Sequence, residues 1–196
     1  ARFGLLEKLD KSVDIHSGSL MKRYVKALEE LTEEEKIEWQ NVSNRLHRIC
    51  QAAREKNVGV FIDAEETWIQ DPVDVITTLM MEQYNKEKAV VFNTFQLYRH
   101  DRLKFLKDSH EAAEQRNFIL GAKLVRGAYM EKERGRARLM NYPSPIQRNK
   151  ESTDLDFNLA MEFCIKNISK ISMVMASHNE SSNLHTTKIL DAKGIP

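Results

Sequence analysis

The sequence predicts an α/β fold in which about four parallel strands, with helices between them, form part of a (β/α)8 TIM-like barrel. Three observations point there. First, the apolar runs VGVFIDAEE (Val58 to Glu66), AVVFNTFQ (Ala89 to Gln96), GAKLVRGAY (Gly121 to Tyr129) and SMVMASHNE (Ser172 to Glu180) each stop on a cluster of polar residues. A parallel strand covered by helices reads as a continuous apolar run. Polar residues just past the C-terminal ends of several such strands mark the edge where barrels and open sheets bind ligands. Second, the first three runs begin near residues 58, 89 and 120, a spacing typical of βαβ units. Third, a closed barrel takes roughly 250 residues, whereas this chain has 196. An open sheet or an internal section of a larger barrel satisfies that length. The second is the expectation, because the chain opens on Ala1 and stops at Pro196 just after a helix.

The elements follow in order. Residues 1–57 are expected to be a helical segment leading into the barrel, and 58–196 its βα units, in one domain truncated at both ends. Residues 1–18 are mixed and turn-like, ending in HSGS, and Leu20 to Leu31 has a helical pattern. Thr32 restarts a helix with a capping box to Glu35. Within it Trp39, Val42, Leu46, Ile49 and Ala53 step by three and four to make an amphipathic face. Lys56-Asn57 closes that helix before the strand at Val58.

Asp71-Pro72 suits a helix opening with proline in its first turn, and Val73, Ile76 and Met80 mark one face. The strand Ala89 to Phe95 precedes a helix from about Asp101 to Asn117, with Leu103, Leu106, His110 and Ala113 on one side. A strand at Leu120 to Val125 follows. Tyr129 to Thr153 is polar and breaks the rhythm, as ligand-covering loops after a strand do. Within it Glu131 to Arg138 is expected to be a solvated helix face. A helix on Leu155, Leu159 and Phe163, a strand at Ser172 to Ala176 and a helix to Lys193 complete the chain.

Composition narrows the function. A net charge of +1, with 30% charged and 41% hydrophobic residues, is ordinary globular composition and gives no electrostatic reason to expect a nucleic-acid partner. No apolar stretch approaches the ~20 residues of a membrane span, and ARFGLLEKLDKS lacks the apolar core of a signal peptide. Cys50 and Cys164 both fall in helical segments, so free thiols in a reducing compartment are expected.

The strand ends carry the chemistry. Asp63 can bond a substrate amine or a ribose or flavin group; Glu65 and Glu66 equally suit an acidic first turn. Asn93 and Phe95 point one way and Thr94 and Gln96 the other. The Asn93 amide suits a heteroaromatic ring edge, or a bond to neighbouring backbone. Lys123 shares a face with Val125 and must find a partner inside an apolar strand. It is also a candidate Schiff-base nucleophile. Arg126-Gly127 resembles an anion cradle, and His178 stands on the same presumed edge. No His-x-His or similar spacing supports a metal site from Asp63, Glu65 and His178.

Taken together and in this order, FIDAEE, VFNTFQ, AKLVRGAY and ASHNE resemble the proline dehydrogenase family, flavoproteins that begin proline breakdown. The resemblance runs from Val58 onward, and ARFGLLEKL is similar to the segment after the family's second barrel strand. AKLVRGAY is highly specific, while DAEE and SHNE gain weight in register with it. The Lys-then-Arg order in KLVRG resembles the mitochondrial-type branch; bifunctional bacterial enzymes have Arg then Lys.

The resemblance implies a distorted α/β barrel that holds FAD at its strand ends and oxidises L-proline to 1-pyrroline-5-carboxylate by hydride transfer to the flavin. It implies that Asp63 orients the proline nitrogen between flavin and substrate, and that Ala64 packs on the cofactor. Asn93 matches a flavin-contacting amide, with asparagine where the bacterial enzymes have glutamine. Lys123 stabilises charge developing near the reactive ring. Val125, Arg126 and Gly127 contact the ring edge and pyrophosphate, Ala128 and Tyr129 line the substrate pocket, and Ser177 and His178 touch the cofactor.

The family's substrate lysine falls upstream of Ala1, and its arginine pair and pocket tyrosine fall beyond Pro196. The expectation is therefore a chain that is inactive alone, binds FAD poorly and self-associates through open sheet edges. For the full-length enzyme the resemblance implies an acceptor such as quinone, peripheral membrane association, and a bacterial cytoplasm or mitochondrial matrix location. The alternatives are hydroxyproline dehydrogenase, a Schiff-base lyase using Lys123 with Asp63 as proton shuttle, and a degenerate half-barrel acting as an interaction module.

Overall fold

A computed structural model describes residues 17–195; of the turn-like reading of residues 1–18, residues 1–16 lie outside the described residues, and Ser17 and Gly18 belong instead to the first turn of a helix. The elements are α1 (Ser17–Glu29), α2 (Glu33–Lys56), β1 (Val60–Ile62), α3 (Thr67–Tyr84), β2 (Val91–Gln96), α4 (Arg102–Gln115), β3 (Leu120–Val125), α5 (Met130–Met140), α6 (Lys150–Lys166), β4 (Ile171–Ala176) and α7 (Glu180–Ala192).

Local chemistry sets several boundaries. The Thr32 capping box forms, with Glu35 N–H donating to Thr32 Oγ1 at 3.2 Å and Thr32 N–H to Glu35 Oε2 at 3.0 Å. Asn57 ends α2 in the left-handed conformation, φ 58°. Val58 N–H then bonds back to Ala53 O, so β1 begins at Val60 rather than at Val58. In α2 the buried line is Trp39, Cys50 and Ala53 with Leu46 packed beside it, while Val42 and Ile49 of the expected face are exposed. Pro72 does not open a helix: α3 starts at Thr67 and runs through it. That start is possible because a carboxylate from α5 accepts the Thr67 N–H. In α6 the core face is Phe157, Ala160, Met161 and Cys164, and the expected Leu155 and Leu159 face solvent. Small residues at 160 and 164 let the helix seat closely on the sheet.

The four strands are all parallel in the order β1-β2-β3-β4. Because such crossovers are right-handed, an unreversed strand order sends every connecting helix to one face. That is an arc of a singly wound barrel, not a doubly wound sheet. Phe95 packs against Phe105 of α4, and Asn93 bonds Asp74 of α3, which identifies the helix-covered face. Phe61, Thr94, Gln96, Lys123 and Val125 take the opposite parity and line the open face. Gly121 lies at the centre, where an added Cβ would stand 2.2 Å from Val91 O, so only glycine lets β2 and β3 approach this closely. At the other end of the strands, the buried Asn85 amide donates to Val91 O and Ile119 O at 2.8 and 3.0 Å, holding the starts of β2 and β3.

The main core lies between sheet and helices, around Phe95, Leu106, Leu120, Leu124, Phe157 and Met161. Outside it, α1 and α2 close over α3 through Trp39 Nε1–H donating to Tyr24 OH at 2.8 Å and through the Arg23–Asp71 ion pair. Inside it sits a fully buried carboxylate, Asp74. It accepts from Gln70 Nε2 at 2.9 Å, Asn93 Nδ2 at 2.9 Å and Arg102 NH1 at 2.6 Å. Burial opposes charge on Arg102, but Asp74, Asp101 and Asp71 outweigh it and raise its pKa. Removing one member of a buried pair leaves the other uncompensated. Asp74→Ala is therefore expected to cost about 3–5 kcal/mol, read as a fall in the denaturant midpoint without loss of the α/β circular dichroism signature before the transition.

Candidate active site

The C-terminal rim of the sheet gathers polar groups on the open face. Lys123 Nζ–H donates to Asp63 Oδ1 at 2.6 Å, and Thr94 Oγ1 lies 3.4 Å from the same oxygen while donating to Ile62 O at 2.9 Å. The pairing follows from register: Thr94 is level with Lys123, and Asp63 continues β1 one step past Ile62, which is level with Asn93. Lys123 Nζ stands over the Phe61 ring, 5.7 Å from its centroid. Asp63 is 66% exposed and Lys123 22%. One carboxylate oxygen of Asp63 thus stays open to a ligand beside a partly covered cation.

Next to that pair the Asp63–Glu66 turn is pinned from several sides. Glu65 N–H donates to Gln70 Oε1, Glu65 O accepts from Gln96 Nε2, and Glu65 Oε2 accepts from the Tyr129 hydroxyl, each at 2.7 Å. The hydrogen bond to Glu65 comes first, burial second, in pushing the Tyr129 phenol up to about 12. Its proton stays on oxygen and points at Glu65, leaving the lone pairs for a donor. Gln96 also donates to Tyr98 OH at 2.9 Å, and Gln70 links the turn to buried Asp74.

The expected residues divide. Asp63 and Lys123 meet directly, and Tyr129 joins them through Glu65 of the same turn. Val125 lines the open face, Ala64 is a buried residue of the turn itself, and Gly127 and Ala128 are exposed at the rim. Gly127 has φ 82° and no atom within 4 Å of where a Cβ would stand, so its backbone is open to close approach. Asn93 does not converge with them: its amide faces α3, bonded to Asp74, because its parity is opposite to that of Lys123. Arg126 also turns to the helix side. Its NH1 pairs with Asp154, its NH2 donates to Ser182 Oγ at 2.7 Å, and its guanidinium stacks 3.7 Å from the Phe157 centroid. Ser177 Oγ accepts from Asn179 N–H at 3.2 Å, and His178 is exposed in the loop after β4.

Thr94, Gln96 and Gln70 are the additions the geometry makes. Period-two alternation already put Thr94 and Gln96 together; Gln70 carried no signal, being one polar residue in a helix. Among the described residues no group of three or more His, Cys, Asp and Glu could hold a metal ion.

Since Arg126 ties the rim to α6 and α7, Arg126→Met is expected to cost about 1–3 kcal/mol by leaving Asp154 and Ser182 short of a donor. Thermal unfolding checks this; unchanged stability would return the guanidinium to ligand binding.

Comparison with known proteins agrees with this architecture. The family model described as proline dehydrogenase matches residues 5–196. The chain is 38% identical over 154 residues to proline dehydrogenase 1, mitochondrial, of Drosophila melanogaster, covering 74% of this chain and 23% of that one. It is 34% identical over 195 residues to proline dehydrogenase 1, mitochondrial, of Caenorhabditis elegans, covering 97% and 31% respectively. It therefore spans about a quarter to a third of the length of these relatives. Among solved structures, proline utilization A from Bdellovibrio bacteriovorus, inactivated by N-propargylglycine, shares the fold with a TM-score of 0.74 at 24% identity, over 80% of this chain and 16% of that one. With the family model matching nearly its whole length, this chain belongs to the proline dehydrogenase family.

Proposed function

We propose that this chain supplies the strand-end floor of an FAD-dependent enzyme that oxidises L-proline to 1-pyrroline-5-carboxylate. The observation that carries the proposal is the Lys123–Asp63 pair on the open sheet face, at the rim where singly wound sheets bind ligands. The rim suits a flavin ring in two respects. Lys123 is a partly covered cation at the centre of the open face, and the exposed Gly127-Ala128 backbone has room for a planar group to come close. Arg126 does not suit the pyrophosphate, because both terminal nitrogens are already engaged by α6 and α7. Lys123, Val125, Gly127 and Ala128 are thus the residues that would hold the ring, while Gln96 is buried and spends its amide on Glu65 and Tyr98. Bound FAD would accept the hydride, chemistry that no side chain here can supply.

The chain's own groups do the rest. Lys123 places positive charge where negative charge develops, a preorganised donor of the kind that lowers transition-state energy. Asp63 spends one oxygen on Lys123 and offers the other to the proline N–H, fixing the direction in which the amine lone pair points. Tyr129, its proton committed to Glu65, presents lone pairs and an aromatic edge to the substrate side. Electrons leave to a quinone-type acceptor. The relatives named as mitochondrial support a mitochondrial setting, and within it we place the complete enzyme in the matrix with peripheral membrane contact; no helix among the described residues is long and apolar enough to cross a membrane.

The test is proline-dependent reduction of a dye by the complete flavin-loaded enzyme, with hydroxyproline as the competing substrate. Lys123→Met and Asp63→Ala are each expected to cut turnover roughly 100-fold or more while the protein stays folded. Wild-type turnover that matches either variant would refute the assignment.

A further inference from the structure

Helix α5 follows the AKLVRGAY motif, and its N-terminal residues run alongside the Asp63–Glu66 turn. Tyr129 bonds Glu65, Lys132 pairs with Glu66, and Glu133 reaches Thr67. The last contact differs from the others. Glu133 is 1% exposed, and its two oxygens accept from Thr67 N–H at 2.7 Å and Thr67 Oγ1–H at 2.8 Å. Glu66, the residue at the cap position of α3, makes no side-chain cap bond. A carboxylate from another element therefore satisfies the first orphan amide of α3, at the end of the helix where negative charge is favoured. Trp68, the next residue, carries the Arg136 guanidinium 4.3 Å from its ring centroid, so α5 grips the turn from two sides.

We propose that Glu133 is a positioning residue for the reaction, clasping the start of α3 to α5 so that Asp63 meets Lys123 and Glu65 meets Tyr129. Asp63 lies four residues before Thr67, and Gln70, Gln96, Lys132 and Tyr129 hold the Glu65–Glu66 part of the segment between them. The Lys123–Asp63 pair is exposed enough that it cannot fix the turn by itself. Lys123 rides on a paired strand, whereas Asp63 lies beyond the end of the three-residue β1. A turn anchored at Thr67 therefore holds the less constrained partner in place. A displacement of about 1 Å in a positioned group can cost on the order of 100-fold in rate.

This inference rests on the proposed function, and the experiment separates the two. In the complete enzyme, Glu133→Ala is expected to lower kcat by at least about tenfold with a smaller change in KM. Glu133→Gln keeps an oxygen for the Thr67 amide and is expected to restore kcat to within about threefold of wild type. Should Glu133→Ala not fold, Thr67→Val removes only the hydroxyl contact and is expected to lower kcat in the same direction by a smaller factor. Amide hydrogen exchange supplies the second readout: Glu65 to Trp68 are expected to exchange faster in Glu133→Ala, and in Thr67→Val, while β3 amides do not. A variant that melts earlier but keeps kcat, or a Gln variant as impaired as the Ala variant, would overturn the positioning role. If the wild type oxidises no proline, the proposed function fails, and the exchange measurement alone decides the clasp: no acceleration at Glu65 to Trp68 overturns it, and local acceleration upholds it.

Discussion

Every polar residue on these strands has to take one of two sides, and only one of those sides is open. The parallel strands run in sequence order with their helices on a single face, so alternate residues go to a covered layer or to a free surface. Lys123 is level with Thr94, and Gln96 with Val125, so chemistry on the open side is assembled by register before any loop is placed. The same rule withdraws Asn93. Its amide is one step out of phase with Lys123, and the covered layer already holds a carboxylate, Asp74, that needs donors. Asn93, Gln70 and Arg102 are what make that carboxylate tolerable in the core, and Gln70 carries the constraint back to the Asp63–Glu66 turn.

Much of the scaffold was legible because it rests on local rules. The strands announced themselves as apolar runs, β3 at its full extent, and Thr32 and Asn57 marked the ends of α2 by capping chemistry. What escaped depended on contacts distant in sequence. The start of α3 at Thr67, five residues ahead of Pro72, rests on Glu133, which is 66 residues away. Glu133 itself lies in a run that reads as a solvated helix face, since a lone buried carboxylate is invisible among neighbouring charges. The core face of α6 was missed for another reason: Leu155 and Leu159 are the more hydrophobic pair, but Ala160 and Cys164 are the residues small enough to meet the sheet.

Within the candidate site, motif reasoning named the residues and alternation sorted them between the two faces. Asp63, Lys123 and Tyr129 were legible as a group because Asp63 and Tyr129 follow strands at the same edge and Lys123 lies in the half of β3 nearest it. Arg126 belongs to the same motif, but a residue just past the strand end takes the opposite parity. There it found Asp154, Ser182 and the Phe157 ring. A motif records which residues travel together, and that includes those whose work is to fasten the rim to the helices behind it.

The two kinds of charge pair then have different uses. Arg102 and Asp74 are sealed in the core, where separating them exposes an uncompensated charge, so they behave as fixed structure. Lys123 and Asp63 meet at the solvent edge, where water screens their attraction and either can change partner at little cost. A ligand that offers an amine to Asp63 and an electron-rich ring edge to Lys123 therefore displaces a weak contact, while the sheet, the buried network and the α5 clasp keep both groups in place. The layering from rigid to exchangeable runs from the helix-covered face to the open one, in the direction set by strand alternation.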